Sequence, residues 1–311
     1  MADSKKVAEY YPAVRDFRAK EMILFRGDVL SYRANLDNPS YSTDAQGFRH
    51  STLGGKLYSV ADCTRAPRYG LVLGASNVFA AGLGGNENTM ASRLSERFGF
   101  PFANAAMPGA NSRTLNSLLV GLMAGASQPP EVVVLSNGGD LANFCDAGFV
   151  DPIFGSPNYV QSKLIRKLGL AAEVDDQLGA LLVFTSLWVS AMATLCRVRK
   201  VPLVLLHQST IFEKLKPSRQ EQDCRLGEAR SRGQERLFAN FRKFNAPFFD
   251  KRQELARRFN LPIAGVGLTD KLSFIDEFHL DADGMNVLSE AVADTVAPLL
   301  EKSGNKAKVE A

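Results

Sequence analysis

The sequence predicts an α/β fold: a three-layer α/β/α, doubly wound domain around a five-stranded, mainly parallel sheet, carrying an N-terminal extension. Two observations lead there. From Tyr69 onward, short apolar runs alternate with amphipathic stretches, the rhythm of strands covered on both faces by crossover helices. The chain also has material for a large core, with 311 residues of which 45% are hydrophobic and 23% charged.

Taken in order, residues 1–67 fall outside the rhythm. Their turn-rich NLDNPSYSTDAQGFR reads as an extension laid on the main domain, 68–302, and not as a second core. Strands are expected at 69–74 (YGLVLG), 102–106 (FANAA), 132–136 (VVVLS), 202–207 (PLVLLH) and 262–267 (PIAGVG), each too short for a helix. Helices are expected at 88–97, 112–126, 162–170, 177–199, 220–243, 250–259 and 283–302, with 303–311 a frayed, flexible tail. Residues 178–196 run nineteen positions without a charge, close to the length of a membrane span. Thr185, Ser186, Ser190 and Thr194 within the run, and the strand pattern directly after it, favour a core helix over a membrane-facing one.

Composition excludes several classes. The charge is 37 Lys and Arg against 33 Asp and Glu, or +4, and the densest basic stretch, 219–236, is interleaved with Glu221, Asp223, Glu228 and Glu235. That mixed pattern is a solvated helix face and not a nucleic-acid stripe. Cys63, Cys145, Cys196 and Cys224 form no Cys-x-x-Cys pair, so neither a zinc site nor a disulfide framework is indicated, and reduced cytoplasmic thiols are the default. The first residues lack the apolar run of a secretory signal, which also points to the cytoplasm.

In an open parallel sheet, functional groups gather at the carboxyl ends of the strands. There the sequence places Gly74-Ala75-Ser76-Asn77, then Asn104 to Gly109, then Asn137-Gly138-Gly139-Asp140, and before the last helix Asp276-Glu277-Phe278-His279. A serine, glycine- and asparagine-bearing turns, and an Asp and His together on one rim are the parts of a nucleophile, its base, an orienting carboxylate and an oxyanion site. The other histidines are placed differently: His50 lies in the turn-rich extension, and His207 ends the fourth strand at the rim.

The order of these blocks resembles the SGNH, or GDSL-type, serine hydrolases over roughly residues 69–300. The matching residues are Gly74-Ala75-Ser76 for the nucleophile turn, Gly109 for the oxyanion glycine, and Asp276 to His279 followed by LDADG. The resemblance implies a flavodoxin-like fold and an esterase or deacylase of a small molecule or acylated sugar, working without metal or organic cofactor. Ser76, Asp276 and His279 would be catalytic. The amides of Ser76 and Gly109, with Asn137 or alternatively Asn143, would serve the oxyanion. By their place at the rim, Asn77, Asp140 and His207 are the candidates for substrate contact, with helix capping the alternative for Asp140 and a near-core role the alternative for His207. Acyl transfer by the same triad, or a non-catalytic binding module, stays open.

Two positions depart from the family pattern. Ala75 stands where an Asp is usual, and Gly139 stands where the oxyanion Asn is usual. Loss of one oxyanion donor costs about 100- to 1000-fold in turnover. A nicotinamide-dependent reductase is the rival suggested by GASNVFAAGLGG and the Tyr159-x-x-x-Lys163 pair. It fails because Val78 and Ala80 stand where the fingerprint needs glycine for close approach to pyrophosphate.

Overall fold

The structure is a computed structural model that describes residues 5–18, 23–26, 29–147, 177–207, 209–226 and 232–309. The chain begins with α1 (Lys5–Tyr10), a 3-10 turn (Pro12–Arg18), an antiparallel hairpin of β1 (Ile23–Arg26) and β2 (Val29–Tyr32), and a second of β3 (Ser51–Leu53) and β4 (Lys56–Tyr58). Then comes α2 (Val60–Arg65), started by a capping box in which Ser59 and Asp62 satisfy each other's backbone amides.

The main domain follows: β5 (Gly70–Leu73), the single-turn helix α3 (Ser76–Phe79), α4 (Met90–Phe98), β6 (Phe102–Asn104), α5 (Ser112–Gly125), β7 (Val133–Leu135) and α6 (Gly139–Ala147). It continues with α7 (Leu178–Val198), β8 (Leu203–Leu206), α8 (Arg219–Leu226), α9 (Arg232–Phe259), β9 (Ile263–Ala264) and α10 (Ala282–Val309).

The sheet order is β6-β5-β7-β8-β9 with every neighbouring pair parallel. Alternation along the strands builds the three layers. Val72, Val134, Val204 and Leu206 point to one face, where α4 and α10 bring Leu94, Met285, Leu288 and Val292. Leu71, Leu73, Val133, Leu135, Leu203 and Leu205 point to the other, where α5, α7 and α9 bring Leu115, Leu119, Val189, Met192 and Leu255. The connection from β5 runs to β6 on one side and that from its neighbour β7 runs to β8 on the other, so the chain leaves these two adjacent carboxyl ends in opposite directions. That reversal opens a crevice directly beyond Leu73.

The N-terminal segment shares this core. Val7, Val14, Phe17, Tyr32 and Tyr41 are buried in the same cluster as Phe79 and Val72.

All five strands fall within their apolar runs, but the helices differ from expectation; the one expected at 220–243 is found as α8 and the first part of α9, with 227–231 outside the described residues. The break expected between 243 and 250 does not occur, since α9 passes straight through Pro247. A proline inside a helix forfeits one backbone hydrogen bond. Here Phe241, Phe244 and Phe248 keep both halves seated on one apolar cluster with Leu141, Phe144, Leu181 and Phe184. The helices α3 and α6 are additions, and α10 runs to Val309, beyond the amphipathic pattern that ends near Lys302. The helix expected at 162–170 and the Tyr159/Lys163 pair lie outside the described residues.

The uncharged run forms α7, with Leu181, Thr185, Val189, Met192 and Cys196 turned inward. Its opposite face is exposed at Val183, Leu187 and Val198, so the helix is a half-buried layer and not one enclosed on all sides.

Leu205 sits fully buried in the central layer, so Leu205→Ala is expected to lower unfolding free energy by about 2–5 kcal/mol in a urea titration. A loss below about 1 kcal/mol would contradict a packed inner face there.

Candidate active site

The turn that carries Ser76 is shaped by a residue that has no side chain. A Cβ on Gly74 would lie 2.5 Å from Val78 Cγ2 and 3.2 Å from Ser136 Cβ, so only glycine lets the chain fold back between α3 and the end of β7. Ala75 is extended and caps α3, its carbonyl accepting from the amides of Val78 and Phe79 at 3.2 and 3.0 Å. Ser76 is the first helical residue, half-buried, with its amide at the open end of the helix.

His279 arrives from the other end of the chain. A short bridge between Phe274 and Leu280 closes the 275–279 turn, and the Ile275 amide donates to the His279 carbonyl at 2.7 Å. Inside it, Asp276 Oδ1 accepts from the amides of Phe278 and His279, both at 2.9 Å. His279 Nδ1 lies 2.9 Å from each Asp276 oxygen, and His279 Nε2 lies 2.9 Å from Ser76 Oγ. The carboxylate accepts the Nδ1 proton, which leaves the Nε2 lone pair facing the serine hydroxyl.

Burial alone would raise the Asp276 carboxyl, but the imidazole beside it and the amide donors hold it well below the usual carboxylate range. Its neighbour Glu277 is pushed the other way, up to about 7, by burial and by the Asp276 charge. Gly284 completes the block. A Cβ there would meet the Ser273 carbonyl at 2.3 Å, so the start of α10 packs directly against the segment leading to Asp276.

The third wall comes from β6 and β7. The Met107 amide donates to the Gly74 carbonyl at 3.0 Å, and Gly109 turns with φ +71. A Cβ on Gly139 would fall 2.0 Å from the Ala110 carbonyl oxygen and 3.3 Å from Ala75 Cβ. Three loops therefore meet at that point, one residue from Ser76 and one from Gly109, and an asparagine cannot occupy position 139. Among the described residues the amides of Ser76 and Gly109 donate to no protein group.

The two asparagines read as alternatives for the oxyanion differ. Asn143 donates to the Gly109 carbonyl at 3.1 Å and so braces that peptide from behind. Asn137 is fully buried, and neither its amide nitrogen nor its oxygen has a partner among the described residues.

The remaining sequence-predicted residues are placed as follows. Asn77 Nδ2 donates to Ser136 Oγ at 3.3 Å. Asp140 is fully buried; it accepts from the amide and hydroxyl of Ser112 at 2.6 and 2.5 Å and from Thr185 Oγ1 at 3.0 Å, tying α6 to α5 and α7. Burial raises its carboxyl. His207 Nε2 meets Glu213 Oε2 at 3.2 Å, and its ring packs on Phe249 at 4.1 Å. It lines a small cavity with Gly138 and Arg252. None of these three touches the Ser76–His279 pair through a hydrogen bond of its own. Glu277 stands in the sequence between Asp276 and His279, but nothing in the local pattern marks it as buried.

No family model matches the chain, and no curated protein matches it. Several solved structures are similar. TesA shares 18% identity, covering 75% of this chain and 99% of its own at a TM-score of 0.45. A carbohydrate acetylesterase family member from Sinorhizobium meliloti shares 11%, covering 75% and 99% at 0.46. AlinE4, an SGNH-hydrolase family esterase, shares 16%, covering 75% and 96% at 0.38.

Two outcomes follow from the geometry. Glu277 holds its proton in the folded chain up to about pH 7, whereas the unfolded chain releases it near 4.5. The folded state therefore binds the extra proton between those values, and stability falls as pH rises through the window. Glu277→Gln is expected to raise the melting temperature at pH 8 and to leave it unchanged at pH 4.5; a gain equal at both would contradict this. Gly139→Asn, which would restore the family's usual residue, is expected to lower both melting temperature and activity because the Ala110 carbonyl fills the space. An active, stable variant would show that the loops can part.

Proposed function

We propose that the chain is a serine hydrolase that cleaves a carboxylic ester through an acyl-enzyme on Ser76. The observation that carries this reading is the unbroken series from Asp276 through His279 to Ser76, each contact at 2.9 Å, opening beside two unengaged amides.

Ser76 Oγ attacks the acyl carbon as its proton passes to His279 Nε2, and Asp276 stabilises the imidazolium that results. The carbonyl oxygen becomes an oxyanion in reach of the Ser76 and Gly109 amides. Collapse breaks the bond to the alcohol oxygen, which leaves with the proton from His279. Water then gives a proton to His279 and attacks the acyl carbon. The second collapse releases the acid and returns the proton to Ser76. The residues supply nucleophile, base and donors without any bound group. An acceptor hydroxyl in place of water would make the same cycle an acyl transfer.

The intact proton path supports turnover over a binding module that has lost it. The substrate class is a small acylated molecule or sugar.

Steady-state hydrolysis of a series of aryl esters of increasing acyl length tests the reading. Ser76→Ala and His279→Ala are each expected to remove nearly all wild-type turnover, and Asp276→Asn to lower kcat about 10,000-fold by fixing the wrong imidazole tautomer. Full activity in both Ser76→Ala and His279→Ala would overturn it.

A further inference from the structure

The segment 1–67 carries a residue whose burial its sequence does not advertise. Arg49 is 1% exposed, and every guanidinium donor is taken. Nη1 donates to the carbonyls of Phe79 and Ala80 at 3.3 and 2.8 Å, Nη2 to those of Leu83 and Gly85 at 2.8 Å each, and Nε to Asn86 Oδ1 at 3.2 Å. Its planar group lies over the rings of Phe17 and Tyr41 at 5.4 and 5.5 Å. Tyr32 stacks on Phe79 at 4.4 Å in the same box.

Four carbonyls drawn from seven consecutive residues thus converge on one cation. Without it their negative ends would face one another in a buried space, a costly arrangement. The loop they belong to turns sharply, with positive φ at Ala80, Gly82 and Gly85 of 62, 89 and 80, and its far end is also tied to the N-terminal segment, the Gly85 amide donating to the Ser40 carbonyl at 2.7 Å. A single-turn helix has no stability of its own, so α3 stands only if both ends are held. Its first end is held at Gly74. Its second is where Arg49 acts: the Ala80 and Ala81 amides donate back to the Ser76 carbonyl, and Ala80's own carbonyl is in the guanidinium's grip.

We infer that Arg49 is a positioning residue, one that sets the place of Ser76 relative to His279 by clamping the carbonyl end of α3 from the N-terminal segment. This deepens the hydrolase reading and rests on it. Burial lowers the guanidinium only to about 10, so the clamp is charged at neutral pH.

The test measures the second-order rate at which an alkyl fluorophosphonate modifies the full-length protein. In that step Ser76 Oγ bonds to phosphorus, fluoride leaves and the serine proton goes to His279. Arg49→Met is expected to label about 100-fold more slowly than wild type, the scale of a misplacement near 1 Å, with KM for an aryl ester little changed. Arg49→Lys, which keeps the charge but not the fork, is expected to fall between the two and serves if Arg49→Met does not melt cooperatively.

Leu94→Ala, a core cavity in α4, supplies a control of comparable thermal loss and is expected to label at nearly the wild-type rate. An Arg49 variant labelling no more slowly than Leu94→Ala would overturn the inference. Wild-type protein that does not label would sink the hydrolase reading instead. The Arg49 inference would then be decided by proton NMR of the His279 Nδ1 hydrogen. A signal changed in Arg49→Met and kept in Leu94→Ala supports the clamp, and one unchanged in both contradicts it.

Discussion

Close approach at Gly74 and Gly139 is the constraint on which the rest of the site depends. A Cβ on Gly74 would collide with the Val78 side chain and one on Gly139 with the Ala110 carbonyl, so the loops leaving β5, β6 and β7 close on one another only because both positions lack a side chain. The open end of α3 and the Gly109 peptide are brought to one place by that contact. The Met107 to Gly74 and Asn143 to Gly109 hydrogen bonds then keep them there. On the proposed hydrolase reading, these amides are preorganised by main chain and need little rearrangement as charge develops.

The His279 loop meets this platform from the opposite end of the sequence, and its electrostatics are arranged by burial. Asp276 is almost sealed from solvent yet stays ionised, because two amides and the imidazole share its charge. At the adjacent Glu277, burial and the Asp276 charge outweigh its backbone hydrogen bond and the imidazole, and its carboxyl is pushed up to about 7. Two neighbouring carboxyl groups are thus driven in opposite directions by what surrounds them. Further from the site, Asp140 and Arg252 are both buried and each feels the other's charge, a second internal balance that ties α6 toward α9.

The sheet was legible because strands buried on both faces are written as continuous apolar runs, and all five lie where those runs are. The carboxyl-end rule then placed Ser76, Gly109 and the Asp276 to His279 pair on one rim, and the structure joins Ser76, His279 and Asp276 by hydrogen bonds. Helix α3 was not legible, since four residues carry no period. The continuity of α9 through Pro247 was hidden for a different reason: the proline is visible in the sequence, but the aromatic cluster that overrides it is tertiary. Gly139 looked like a missing donor and is a steric requirement. Arg49 was invisible because an arginine in a polar, turn-rich stretch reads as surface.

On the hydrolase proposal, Ser76, His279 and the Gly109 amide form one working arrangement, and a crystal structure of the protein carrying a phosphonyl group is its sharpest test. The expected result is the group on Ser76 Oγ, with one phosphoryl oxygen about 2.7–3.1 Å from both the Ser76 and Gly109 nitrogens and His279 still held by Asp276. A phosphonyl oxygen turned to solvent with neither amide in reach, or a group attached to another residue, would contradict it.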